Sequence, residues 1–380
     1  MKSGTIGLYV HIPFCLRKCL YCDFPSYAQK GHLMDEYLKA LKVEADQVKC
    51  KIAGRRIKTI FLGGGTPTLY HEKELVQLLD YFKQSYLICD EAEITTEANP
   101  ETLNPQKLKV LREAGINRIS IGMQAGQDKH LKTLGRIHSV VDVERGVDWA
   151  RRAGFGNINL DLMFGLPNQS VDEWIESLDK AVKMGVEHIS AYALILEEGT
   201  PLYELVDQGD LQSPPEDMER EMYHTGVHFL KSQGYNHYEI SNFAKPGKEC
   251  KHNLLYWQNN EYIGLGSGAH SYLHGNRWSN YANICKYIDR ISKYGNGIEQ
   301  SEEISLPTQR FETVMMGLRL NSGVSKEMFK ERFGHGLEYY YGDIIENLKE
   351  KGMLIEADTS IYLTTKGMDL QNSVLLHFME

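Results

Sequence analysis

Short runs of β-branched and aromatic residues recur along the first half of the chain, and each is followed by a stretch whose apolar positions return every three or four residues. The short runs are TIGLYVHI from Thr5, IKTIFLGG from Ile57, AEITTEAN from Ala92, RISIGMQ from Arg118, NINLDLMFG from Asn157 and HISAYALIL from His188. Segments this apolar predict strands buried on both faces, as in a parallel sheet. The intervening segments predict helices from Leu33, Lys73, Asn104, Val141 and Val171. Asn104 with Pro105 opens one of them, and Gly115, Gly154 and Gly185 close others. Strand and helix thus alternate, which predicts an α/β fold of six β-α units with right-handed crossovers.

Past Thr200 the regularity fades. PPEDMEREMYHTGVHFLKSQG reads as a helix ended by Gly234, and YNHYEISNFA as one further strand. From about Leu306 helices are expected near 307–319, 325–332 and 338–351, then a hairpin in MLIEADTSIYLT and a last helix, a small helical unit with a wing. The segment SKYGNGIEQSEEIS is the expected linker. The resulting division is a barrel over 1–240, an extension over 241–300 and a C-terminal helical domain over 301–380.

A net charge of -9 and a pI near 5.9 argue against a nucleic-acid backbone as the main partner, because phosphate binding needs clustered Lys and Arg. MKSGTIGLYVHIPF has no long apolar core, and no uninterrupted apolar run approaches a membrane span. A cytoplasmic placement is expected, with peripheral docking at a membrane left open.

Three of seven cysteines, Cys15, Cys19 and Cys22, fall directly after the first strand, where the C-terminal end of a barrel strand places chemistry. Such crowding suits metal or redox use better than a disulfide framework. A four-iron cluster held by three thiolates keeps one iron free for a small ligand. A zinc site completed by a distant Cys or His, or three ordinary thiols, are the alternatives. GGGTPT after the second strand lets backbone approach a ligand closely, though glycines also serve plain turns. Glu97 and Asn99 end the third strand, and Glu97, Gln124, Arg136 and Asp161 could hold polar groups of a ligand at the strand ends.

CLRKCLYC resembles the CxxxCxΦC hallmark of the radical SAM superfamily, with Tyr21 at the aromatic position. The resemblance implies a partial (β/α)6 barrel with a winged-helix-like C-terminal domain. It further implies a [4Fe-4S] cluster on Cys15, Cys19 and Cys22, with S-adenosylmethionine (SAM) on the open iron. YVHIPFC, GGGTPT, GLP at 165–167 and IGLGSGAH are similar to the coproporphyrinogen dehydrogenase-like branch over nearly the whole chain. On that likeness Tyr9, Tyr21, Gly64, Gly65, Thr66, Glu97, Gln124, Arg136, Asp161 and Ala193 contact SAM.

Within the branch, the oxygen-independent oxidases read CxxxCxxCxC and carry a longer N-terminal extension. Here Phe24 stands at the fourth cysteine position and only fourteen residues precede Cys15. KHNLLYW matches the HNxxYW signature of the haem chaperone side, which implies a carrier rather than an enzyme, delivering haem to haem proteins such as respiratory membrane complexes. His252 is the expected iron ligand, with Tyr256 and Trp257 packing on the porphyrin. Cys250, His237, His270 and His274 are competing ligands, and no CxxCH attachment sequence occurs, so the haem would be non-covalent. Arg17 and Lys18 either neutralise a cluster or propionate or form a solvated loop. The alternative reading is the oxidase itself, decarboxylating coproporphyrinogen III.

Overall fold

The computed structural model describes residues 4–379. Six parallel strands lie side by side in chain order: β1 Thr5–Ile12, β2 Arg56–Gly64, β3 Leu87–Ala98, β4 Arg118–Gln124, β5 Ile158–Phe164 and β6 His188–Ala193. All six expected strands and the five expected crossover helices are present. β3 starts earlier than its apolar pattern because Leu87 and Ile88 pair with Arg56 and Ile57 where the sheet is exposed, so no buried alternation marks them.

Two stretches differ from expectation. YNHYEISNFA is a tight hairpin, β7 Asn236–Glu239 and β8 Asn242–Ala244, and β8 pairs antiparallel with β6. The expected linker at 292–305 instead ends a helix, Ile284–Tyr294, and forms β12 Ile298–Glu303. β12 is the outer edge of a ribbon with β11 Asn276–Asn280, β10 His270–Leu273 and β9 Tyr262–Leu265, and β9 lies parallel to β1. Its residues are almost all exposed, which explains why a polar, Gly-containing stretch resembles a linker. The twelve strands form one sheet running from β12 to β7 in a linear order.

The C-terminal unit has the expected shape. Helices Leu306–Gly317, Lys326–Phe333 and Leu337–Glu350 pack with a three-stranded antiparallel wing around Phe329, Tyr341, Leu348 and Ile361. These residues form an apolar cluster separate from the main core.

One buried carboxylate ties the first crossover helix, Met34–Lys49, to the ribbon. Glu44 accepts hydrogen bonds from Tyr287 Oη at 2.6 Å, Gly266 N at 2.8 Å and Asn280 Nδ2 at 2.5 Å. Burial pushes its pKa up to about 7, against those three donors. The unfolded chain releases this proton near 4.5 while the folded chain keeps it, so stability falls as pH rises from about 4.5 to about 7. The slope from this group is at most about 1.4 kcal/mol per pH unit. Urea denaturation of Glu44→Gln beside the parent is expected to show that slope removed, and equal slopes in both proteins would contradict it.

Candidate functional site

Inward-facing residues of the parallel strands stack in layers. Gly7, Thr59 and Glu93 are in register low in the barrel, and Tyr9, Phe61 and Thr95 form the next layer. Above them, His11 stands beside Gly63, and the strands end at a cavity of about 490 Å³. This volume is typical of cofactor pockets.

The loop after β1 holds the three cysteines on the cavity wall. It is pinned at its ends by Tyr27 N to Pro13 O at 2.7 Å, Cys15 N to Tyr27 O at 3.2 Å, and His11 Nε2 against Pro25 O at 2.9 Å. In the middle, Leu20 N donates to Leu134 O at 3.0 Å. The three thiols are free and partly exposed. Burial pushes the Cys15 and Cys22 thiols up, so metal binding there must release protons. Three thiolates in one loop on the cavity wall can each take one iron of a four-iron cube, so the donor set fits the cluster.

The glycine turn is required by packing. A Cβ on Gly65 would meet Phe14 O at 2.6 Å, and one on Gly64, whose φ is 110°, would meet the His11 ring at 2.5 Å. The close approach lets Thr66 N donate to Phe14 O at 2.7 Å, locking the turn against the cysteine loop. Gly64 and Gly65 line the cavity, but the Thr66 hydroxyl is spent inside the protein, on Cys15 Sγ at 3.7 Å.

That hydroxyl also begins a hydrogen-bonded chain. Asn99 Nδ2 donates to Thr66 Oγ1 at 2.9 Å, Arg136 Nη2 donates to Asn99 Oδ1 at 2.6 Å, and Arg136 Nη1 donates to Cys19 Sγ at 3.2 Å. Two cluster thiols are thus joined through β3 and the segment after β4. A guanidinium there would offset the anionic charge of a cluster held on these thiolates. Sequence reasoning sets Asn99 among the polar residues at strand ends, but nothing in the chain says that it bridges Thr66 and Arg136.

The remaining walls carry carboxylates and an amide. Glu97 accepts from Gly64 N at 3.0 Å, and burial, reinforced by the charge of Asp161, pushes its pKa up to about 7. Asp161 accepts from Ser120 Oγ and Asn159 Nδ2, each at 2.8 Å. Gln124 has a φ of 66°, at the register shift between β4 and β5, a left-handed conformation uncommon for a side chain of this kind. The irregularity delivers its amide to the cavity. Tyr21 and Ala193 also line it. Tyr9 lies a layer lower, with its hydroxyl against His11 Nδ1 at 3.0 Å and its ring stacked on Phe61 at 6.2 Å. Around the mouth stand the exposed side chains of Phe24, Tyr192 and Ile195, together with Arg17 and Lys18.

His252, the expected haem ligand, lies in the barrel floor away from the cysteine cavity. The helix Lys251–Trp257 closes the low end of the barrel, with Glu93 accepting from Lys251 N and His252 N at 3.1 Å each. His252 is 1% exposed, with Nδ1 on Thr59 Oγ1 at 2.7 Å and Nε2 on Tyr256 Oη at 2.9 Å. Both ring nitrogens are used, and Phe61 stacks on the ring at 5.2 Å. It sits beside Gly7, where a Cβ would meet Leu255 Cδ1 at 2.7 Å, about 13 Å below His11 along β1. Tyr256 is engaged with it, while Trp257 points elsewhere, under Arg319 at 4.5 Å.

The other candidate ligands are dispersed. Cys250 is buried with its thiol on Glu93 at 3.6 Å and its pKa pushed up to about 12. His237 stacks on Phe243 at 4.5 Å and bonds Ile240 O at 3.1 Å. His274 pairs with Glu261 at 3.2 Å, and His270 is exposed on β10. None of them lines the cysteine cavity.

Comparisons with known proteins agree with this architecture. The family model described as "Radical SAM superfamily" matches residues 9–181, and that described as "HemN C-terminal domain" matches residues 304–370. "Heme chaperone HemW" of Bacillus subtilis is 41% identical over 380 residues, covering 100% of this chain and 99% of the relative. The Lactococcus lactis protein of the same name is 36% identical over 379 residues, covering 100% and 98%. The solved structure of coproporphyrinogen III oxidase (HemN) from Escherichia coli superposes with a TM-score of 0.87 at 22% identity, covering 99% of this chain and 90% of that one, a likeness of fold. No helix of the described residues is long and apolar enough to cross a membrane. With its cysteine loop, glycine turn and barrel in place, this chain belongs to the radical SAM superfamily and, within it, to the family of the HemW haem chaperones.

Proposed function

We propose that this protein binds haem non-covalently and passes it to apo-haem proteins, on a barrel that also holds a [4Fe-4S] cluster and SAM. The observation that carries the reading is similarity along the entire chain to relatives named as haem chaperones, at 41% and 36% identity. The side chain at the fourth position of the cysteine loop supports it. Phe24, 60% exposed at the cavity mouth, offers an apolar face where the oxidase pattern has a thiol. The oxidase reading rests on fold likeness at 22% identity, which says nothing of activity.

Cys15, Cys19 and Cys22 would hold the cluster, and Arg136 would offset its charge through Cys19. Glu97, Asp161 and Gln124 would take the hydroxyl and ammonium groups of SAM. When bound and reduced, the cluster would supply an electron to the SAM sulfonium. Acceptors include haem proteins of respiratory membrane complexes, met by peripheral docking.

The test is anaerobic reconstitution followed by separate addition of haem and coproporphyrinogen III. Stoichiometric haem binding, with transfer to an apo-haem protein and no decarboxylation, is expected. Formation of protoporphyrinogen would overturn the reading. Calorimetry on the reconstituted protein should show SAM affinity lower by about 10- to 100-fold in Glu97→Ala, the usual range for losing a hydrogen bond to a charged group. Unchanged affinity would remove Glu97 from the SAM contacts.

A further inference from the structure

The Trp257 end of the KHNLLYW helix opens on a second cavity, of about 420 Å³, whose other walls belong to the C-terminal unit. Its size also falls in the range of cofactor pockets. Trp257 Nε1 and Asn321 Oδ1, on two lining residues, are buried and have no hydrogen-bond partner among the described residues. At the rim, Arg332 donates to Asn259 O at 2.9 Å, Asn260 Oδ1 at 3.1 Å and Thr313 Oγ1 at 3.3 Å. All three partners are neutral, and among the described residues Arg332 forms no ion pair. Desolvation lowers its pKa, against the opposing pull of Tyr272 and the Glu261 carboxylate. Between these groups the wall is apolar, with Leu320, Val324 and Phe329. It also carries two side chains able to ligate iron, Met328 and Tyr362.

We infer that this cavity, between Trp257 and the C-terminal unit, is the haem seat. A propionate meets Arg332, the ring lies on the apolar wall beside Trp257, and the iron takes the Met328 thioether. Coordination by Met328 gives a sulfur lone pair to the iron and moves no electron or proton. A neutral thioether that is 44% exposed suits a ligand that must be released. The site also accounts for the last residue of the HNxxYW signature, whose His and Tyr are consumed inside the barrel floor. This inference rests on the haem-carrier reading and locates its cargo.

The test is titration of the full-length protein with haem, followed by the Soret band. Met328→Ala is expected to shift the band and weaken binding at least about 10-fold. Arg332→Gln is expected to weaken it comparably, while Arg332→Lys keeps most of the affinity. Thermal melts of each variant confirm folding. Parent-like binding by Met328→Ala and Arg332→Gln overturns the inference. So does loss of binding on Phe24→Ser or Ile195→Ser, which would put haem at the barrel mouth. In those two outcomes the carrier reading stands; absence of haem binding by the parent protein overturns both.

Discussion

Cys19→Ala is expected to abolish the iron–sulfur cluster while leaving the protein folded. A cubane has four irons, and three thiolates are all this loop provides for it, so removal of one leaves two corners without protein. After anaerobic reconstitution, iron is expected to fall from about four per chain to less than one, with loss of the visible charge-transfer absorption. SAM affinity is expected to fall with it by at least about 100-fold, since the open iron is its main anchor. Stability changes little, because the thiol is partly exposed and Arg136 keeps Asn99 Oδ1 and Gly122 O as acceptors at 2.6 and 3.1 Å. Haem affinity is expected to stay within about twofold, because the haem seat lies at the far side of the barrel floor. A full iron complement in this variant would mean that the three cysteines do not hold the cluster.

The second large effect is on folding. His252→Ala is expected to destabilise the protein by about 3–5 kcal/mol, through the cavity left by a fully buried ring and the stranding of two hydroxyls. The Thr59 and Tyr256 hydroxyls both lose their partner, and Phe61 and Tyr9 lose the ring they pack against. The imidazole also carries a pH signature. Burial lowers its pKa to about 3, so the unfolded chain takes up a proton near 6.5 that the folded chain refuses. Stability from this group is therefore present above about pH 6.5 and is lost as pH falls toward about 3, and the variant is expected to lack that dependence. Urea denaturation between pH 5 and 7.5 reads both effects. At a temperature where both proteins are folded, haem affinity is expected to be unchanged within about twofold. A tenfold loss of haem affinity with undiminished stability would restore His252 as the iron ligand.

These two residues show where local sequence information stops. The cysteines were legible because cluster chemistry demands a residue type at short spacing, and one loop satisfies it without reference to the rest of the chain. The surroundings of His252 were not legible because its partners, Thr59 and Tyr9, lie far away in the chain and meet it only when the helix Lys251–Trp257 packs beneath β1. An imidazole next to aromatic residues has the same local appearance whether it ligates iron or plugs a barrel. The edge strand β12 was hidden for a related reason. With both faces in water, it keeps its place through hydrogen bonds to β11 rather than through apolar side chains.

Taken alone, the order of residues determined six strand-and-helix units, the C-terminal helical unit with its wing, and a three-thiol loop at the first strand's exit. Each follows from periodicity or spacing within a few tens of residues, which burial on two faces or ligation by one loop imposes directly. Only the tertiary structure decided that Asn99 links Thr66 to Arg136, that the Thr66 hydroxyl serves Cys15, and that the HNxxYW signature is split between barrel floor and second cavity. Those assignments depend on which side chains from distant segments share one buried space, where every polar group must find a partner, and that accounting exists only once the chain has closed on itself.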